Sequence, residues 1–167
     1  MNELKLIDFI GRVVTSRERV QFTHVDPYGH LNSARYTEFL INHRIDAIED
    51  QLQVATLDIG KVLGTAFVIS RMDIRYVSPS FLGEELEIAS WIERLDKSGF
   101  ELRLVISGGE RRRVRAQAMQ EIRTVNFKTG QVIDCPSFLP TKGPADILHT
   151  RPLKAEYLAG ISGYREI

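Results

Sequence analysis

The 167-residue chain has a single cysteine, no surplus of charge of either sign and no long hydrophobic run, and each scarcity removes a class of protein. Cys135 alone cannot support an intrachain disulfide framework, and its expected place is among apolar neighbours. His24 and His30 lie near Asp26 without a third ligand at metal-binding spacing, so no metal is expected. Lys plus Arg and Asp plus Glu number 22 each, for a net charge of zero, which leaves no basic excess for nucleic acid. No stretch approaches the roughly 18 apolar residues of a membrane span. Met1 to Asp8 carries acidic residues and no long apolar core, which speaks against a cleaved signal peptide and for a cytoplasmic protein. Gly-x-Gly-x-x-Gly, a P-loop and Gly-x-Ser-x-Gly are all missing, and Gly160-Ile-Ser-Gly163 lacks both the spacing and the preceding strand of the last. No cofactor is expected, and the nucleophilic-serine class has no candidate.

What is present is organised around residues 22 to 53. Val13 to Phe22 reads as a strand. A turn carrying Asp26, Pro27, Gly29 and His30 follows, and a helix of roughly five or six turns begins near Asn32 or Ser33. Its polar residues Arg35, Glu38, Asn42, Asp46, Glu49 and Gln53 recur at spacings of three and four, while Tyr36, Phe39, Leu40, Ile41, Ile45, Ile48 and Leu52 cover the rest. A helix with so wide an apolar surface needs a broad partner.

Alternating segments supply it. Residues 65 to 76, 85 to 93, 100 to 107 and 114 to 123 show strand periodicity, with hairpin connections at 96 to 99 and 108 to 112. One strand, one long helix and then four or five strands give an α+β fold with an antiparallel sheet curled around the helix. No linker divides residues 1 to 167, so one domain is expected, with a core at about 12 to 134. The extension at about 135 to 167 is broken by Pro136, Pro140, Pro144 and Pro152, with a short helix at Lys154 to Ala159. Its apolar residues call for packing on the body or on a partner subunit.

Asp26 is the chief candidate for chemistry. A carboxylate just ahead of a helix meets unpaired backbone N–H groups and the positive end of the helix dipole. Those donors can polarise a carbonyl while the carboxylate attacks it or deprotonates a water. The competing reading makes Asp26 a turn residue, which Asp-Pro favours. Asn32 reads as an N-cap or as a donor to an acyl group, and His30 as a turn organiser or a base. Arg111, Arg112, Arg113 and Arg115 form the dense basic cluster, either a solvated hairpin or a clamp for a small phosphorylated ligand.

Val25-Asp26-Pro27-Tyr28-Gly29-His30-Leu31-Asn32-Ser33-Ala34-Arg35-Tyr36 resembles the Asp-x-x-Gly-His-hydrophobic-Asn-Asn-x-x-Tyr signature of hotdog-fold acyl-CoA thioesterases of the 4-hydroxybenzoyl-CoA thioesterase type. Asp73-Ile-Arg-Tyr76, Pro79 and Gly83-Glu84-Glu85-Leu86 resemble that family's central strand and the turn after it. The resemblance covers about residues 12 to 134. It implies the hotdog fold, hydrolysis of acyl-CoA or another acyl thioester, and a homodimer or dimer of dimers with sites at the subunit junction. Asp26 matches the catalytic carboxylate, nucleophile or general base; His30 and Asn32 match positions shaping the turn and acyl pocket; the amide near Ser33 would be the oxyanion donor. Ser33 replaces the second Asn of the pattern, which keeps a backbone donor and removes a side-chain amide. Acyl-carrier-protein thioesters, or acyl-CoA binding without catalysis, are the alternatives. The Arg111 to Arg115 cluster would then face the CoA phosphates.

Overall fold

The computed structural model describes residues 2–144 and 146–167. Strand β1 (Asn2–Lys5) leads through a 3₁₀ turn to β2 (Val14–Arg19), and helices α1 (Ser33–Leu52) and α2 (Thr56–Leu63) follow. Strands β3 (Thr65–Tyr76), β4 (Glu85–Asp96), β5 (Gly99–Gly108) and β6 (Arg113–Asn126) come next, and β7 (Phe138–Thr141) and α3 (Lys154–Ala159) complete the chain. Five strands form one antiparallel sheet in the order β2-β4-β5-β6-β3, while β1 and β7 pair as a separate ribbon. The sheet wraps α1, the hotdog arrangement.

The period-two pattern explains which side faces the helix. Leu86, Ile88 and Ile92 of β4, Leu102, Leu104 and Ile106 of β5, and Ala116, Ala118 and Ile122 of β6 meet Tyr36, Phe39, Leu40 and Leu52 of α1 in the main core. Residues 65 to 76 form one strand with an irregularity between Ile69 and Arg71. The strand expected to reach Phe22 stops at Arg19, because Phe22–His24 turns into a 3₁₀ segment that leads into the Asp26 loop.

The other side of the sheet is also covered. Val13, Ala89, Trp91, Val105 and Val114 form a second core with Tyr157 and Ile161 of the C-terminal segment. The polar residues that alternate on this side find partners in the same segment. The Tyr157 hydroxyl donates to Glu87 at 2.7 Å, Lys154 pairs with Glu93 at 2.6 Å, and the Gln117 amide donates to the Arg165 carbonyl at 2.6 Å. The extension therefore packs on the body of its own subunit.

Inside the main core His43 is 1% exposed and bridges two serines, with Nδ1 2.6 Å from Ser16 Oγ and Nε2 2.9 Å from Ser90 Oγ. A neutral ring suits this site, one nitrogen donating and the other accepting. Burial lowers its pKa from 6.5 to about 4. The sign follows from linkage: below about pH 6.5 the unfolded chain takes up a proton that the folded protein refuses until about pH 4. This contribution to stability is complete above 6.5 and is lost as pH falls toward 4. We expect a slope of about 1.4 kcal/mol per pH unit in that window from this residue. Urea titrations of parent and His43→Gln at several pH values would reveal it as a difference in slope; parallel profiles would contradict it.

Candidate active site

The loop between β2 and α1 is built as a small hairpin. The Asp26 N–H donates to the His30 carbonyl at 2.8 Å and the Gly29 N–H to the Asp26 carbonyl at 3.0 Å, with Val25 and Leu31 paired across the base. Pro27 presets the first central position of the turn, and Gly29 has φ +77°, which residues with a Cβ rarely adopt. Asp26 Oδ1 accepts from the Tyr28 N–H at 2.9 Å and the His30 N–H at 3.1 Å. These bonds fix the half-buried carboxylate to its own turn, and no protein group among the described residues donates to Oδ2.

Helix α1 begins directly afterwards. Asn32 is its N-cap, the side-chain oxygen accepting from the Ala34 N–H at 2.9 Å. The Ser33 N–H, on the first helical residue, meets no acceptor among the described residues. It is the orphan donor that a helix start leaves, at the positive end of the dipole. The Ser33 carbonyl accepts from the Tyr76 hydroxyl at 3.3 Å. The His30 ring stands edge-on to Phe81 with centroids 5.2 Å apart.

A second wall comes from residues 78 to 84, whose members were not singled out from the sequence beyond their turn pattern. The Leu31 N–H donates to the Ser80 carbonyl at 2.8 Å, His30 pairs with Phe81, and the Tyr36 hydroxyl donates to Ser80 Oγ at 3.0 Å. Gly83 donates to the Val20 carbonyl at 2.8 Å, which ties this loop to the end of the chain leading from β2. Glu84 Oε2 accepts from the Phe81 N–H at 3.0 Å, and Glu84 Oε1 accepts from Arg115 Nε at 2.8 Å. Burial raises the Tyr36 hydroxyl pKa despite its bond to Ser80.

The arginine cluster divides. Arg115 is spent on Glu84 and Ser78, with both ion-pair side chains under 15% exposed, so it braces the 78–84 loop. Arg112 pairs with Glu87 and lies over the Tyr157 ring at 4.8 Å. Although burial works against Glu87's charge, Tyr157 and Arg112 hold its carboxyl below the usual range. Arg111 and Arg113 are exposed and enter no ion pair among the described residues. Four free guanidiniums are thus reduced to two by carboxylates that lie far off in sequence. Among the described residues, no three His, Cys, Asp or Glu side chains gather in a metal-binding group.

The fold finds counterparts among known proteins. Residues 20–143 match the family model described as the thioesterase-like superfamily. The chain belongs to the thioesterase-like superfamily. As a member it is a thioester hydrolase by family. The long-chain acyl-CoA thioesterase FadM of Escherichia coli (strain K12) is 34% identical over 118 residues, 69% of this chain and 85% of FadM. A probable thioesterase from Bartonella henselae superposes with TM-score 0.67 at 25% identity over 74% of this chain and 99% of its own. The fold alone is shared with the Staphylococcus aureus protein SAV2348, solved in complex with CoA, at TM-score 0.69 and 15% identity over 95% of this chain and 91% of that one. No helix of the thioesterase-like chain is long and apolar enough to cross a membrane among the described residues.

Proposed function

We propose that this protein hydrolyses acyl-CoA thioesters in the cytoplasm, with Asp26 as the catalytic carboxylate and the Ser33 N–H as a donor to the thioester oxygen. The single observation that carries this reading is that residues 26 to 33 hold both a half-buried carboxylate with one uncommitted oxygen and a helix start with an uncommitted N–H. As charge develops on the carbonyl oxygen, a fixed backbone donor stabilises it without reorganising. Asp26 then acts on the carbonyl carbon directly or through a water. The name and similarity of FadM support acyl-CoA as the substrate class. His30 and Asn32 shape the loop through Phe81 and the helix cap. A thiol-release assay across short, long, branched and aromatic acyl-CoAs tests the proposal, and inactivity on every member would end it.

The working unit in this proposal is a homodimer or a dimer of dimers. Phe22 and Tyr28 beside Asp26 are 79% and 84% exposed, and Phe81 and Leu82 of the second wall are about half exposed. Clustered apolar exposure around a catalytic loop suits burial by another surface, and β3 presents an unpaired sheet edge. Light scattering at micromolar concentration is expected to give a multiple of 19.0 kDa. A monomeric mass that persists with substrate present would refute the shared site.

Arg111 and Arg113 are the proposed contacts to the CoA phosphates, since Arg112 and Arg115 are committed to carboxylates. Replacing both by Ala is expected to raise KM for acyl-CoA several-fold more than KM for a short thioester without the nucleotide, and added salt should act in the same direction. Equal effects on the two substrates would place this hairpin away from the ligand. Arg115→Ala should instead loosen residues 78 to 84 and affect both substrates alike.

A further inference from the structure

At the far end of α1 from the Asp26 loop lies a cavity of about 60 Å³ between the second half of the helix and the sheet. Phe9, Ile48, Phe67, Phe100 and Leu102 supply its apolar wall. Arg44 and Gln51 of α1 and Arg12 of the N-terminal segment also line it, and no Asp or Glu does. With a rise of 1.5 Å per residue, Arg44 is about 17 Å along the helix from Ser33. The site is therefore separate from the candidate catalytic loop. The ribbon closes it, with Leu139 of β7 in its lining and Thr141 Oγ1 donating to the Leu52 carbonyl at 3.0 Å.

The polar groups in this cavity lack what a buried polar group needs. Gln51 is 2% exposed, and its Nε2 has no acceptor among the described residues; Arg44 Nε has none either. Arg44 reaches only the Phe67 carbonyl, at 3.5 Å, and Arg12 the Arg151 carbonyl, at 3.1 Å. Neither guanidinium has a carboxylate partner among the described residues. Burial lowers the Arg44 pKa, with no acidic neighbour to offset it. Buried donors such as Gln51 Nε2 and Arg44 Nε are nearly always satisfied, and the partly buried Arg44 guanidinium has no anion beside it among the described residues. Apolar walls with a few convergent polar groups are the make-up of a small-molecule site.

We propose that this cavity binds a carboxylate carried on an apolar chain, the anion accepting from Arg44 and Gln51 and the chain lying against Phe9, Phe67 and Phe100. A space of this size holds only a short chain or the last few carbons of a longer one, since a single water takes about 10–15 Å³ on the same measure. The carboxylate has two possible sources, a free aliphatic acid or the far end of a dicarboxylic acyl group. The second rests on the hydrolase reading and the first does not.

The test uses the full chain, with Arg44→Met and Gln51→Leu as variants of similar volume. In the first arm, hexanoate at about ten times its dissociation constant should raise the melting temperature of the parent by roughly 3–5 °C and leave Arg44→Met unmoved. Hexan-1-ol should do neither. Without ligand, Arg44→Met should melt close to the parent, since Arg44 makes one long bond to the Phe67 carbonyl and no ion pair among the described residues, and Arg44→Lys should retain part of the hexanoate response. In the second arm, kcat/KM is compared for the mono-CoA thioester of a sixteen-carbon dicarboxylic acid, long enough to cover the distance from Ser33, and for hexadecanoyl-CoA. A preference for the dicarboxylic substrate that falls at least about tenfold in Arg44→Met assigns the far-end source. Hexanol matching hexanoate, or no response of either arm to Arg44→Met, overturns the proposal. A preparation inactive on every thioester would defeat the hydrolase reading alone and leave the first arm to decide.

Discussion

Asp26→Asn protein is expected to fold as the parent does and to lose at least about 10²-fold in kcat, equivalent to about 2.7 kcal/mol of transition-state stabilisation. The structure separates the two roles of this side chain by oxygen atom. Oδ1 holds the turn by accepting the Tyr28 and His30 N–H groups at 2.9 and 3.1 Å, and an Asn side-chain oxygen can accept both. The loop geometry, with Gly29 at φ +77° and the Gly29 to Asp26 backbone bond, should therefore survive. The substitution removes the negative charge, which a nucleophile or general base requires and a turn residue does not. KM should change much less, because the Ser33 N–H is untouched. Folded Asp26→Asn protein keeping more than about a third of parental kcat would eliminate the catalytic role, given the 10²-fold or larger share a positioned base contributes. Single-turnover hydrolysis in heavy-oxygen water then distinguishes attack from water activation. Direct attack, with any anhydride opened at the Asp26 carbonyl, puts an unlabelled oxygen into the first acid product; activated water delivers label at once.

The Asp26 loop was legible because its determinants are local. Pro27, Gly29 and the Asn32 cap act within a few residues, so turn chemistry and the helix start could be read from spacing, and α1 begins at Ser33 as expected. The strands were legible for the same reason, each alternating over its own length. Groups recruited from a distance were not. Glu84 and Glu87 commit Arg115 and Arg112 from 31 and 25 residues away, which no local pattern discloses. Helix α2 was missed because its eight residues make little more than two turns, with Gly60 inside, too short a stretch for a helical period to stand out. Its start depends on the Glu49 carboxylate accepting the Thr56 N–H at 2.7 Å, a contact made across the end of α1. Strand β7 lies among prolines and includes Pro140, which an edge position tolerates because β7 pairs only with β1. The second hydrophobic layer was hidden as well. Glu87, Glu93, Arg103 and Gln117 look like a wet face in sequence, and their partners arrive from residues 154 to 167.

That second layer makes the C-terminal segment part of the folded body, and a chain ending at Arg151 is expected to lose about a third or more of its stability. Truncation removes Tyr157 and Ile161, each under 10% exposed, together with the partly buried Leu158 and Tyr164 that pack beside them. It also removes the Pro152 carbonyl that accepts from Val13 N–H at 3.0 Å and the Ser162 carbonyl that accepts from Val114 N–H at 2.9 Å. Four such side chains, discounted for incomplete burial and for a compact unfolded state, amount to about 5 kcal/mol. Domains of this kind hold only about 5–15 kcal/mol in total, so the shortened chain should be partly unfolded at 37 °C. Trp91 is the sole tryptophan and is 1% exposed beneath this segment, with its ring 6.2 Å from that of Tyr164. Its emission should shift to the red even at low temperature, where the five-stranded sheet persists, because the side of the sheet that carries Trp91 would be open to water. Tyr157→Phe offers a milder version: it keeps the ring against Arg112 and deletes only the hydroxyl bond to Glu87, with an expected cost of about 1–2 kcal/mol. An unchanged urea midpoint and unchanged Trp91 emission in the truncated chain would show that the segment merely rests on the sheet.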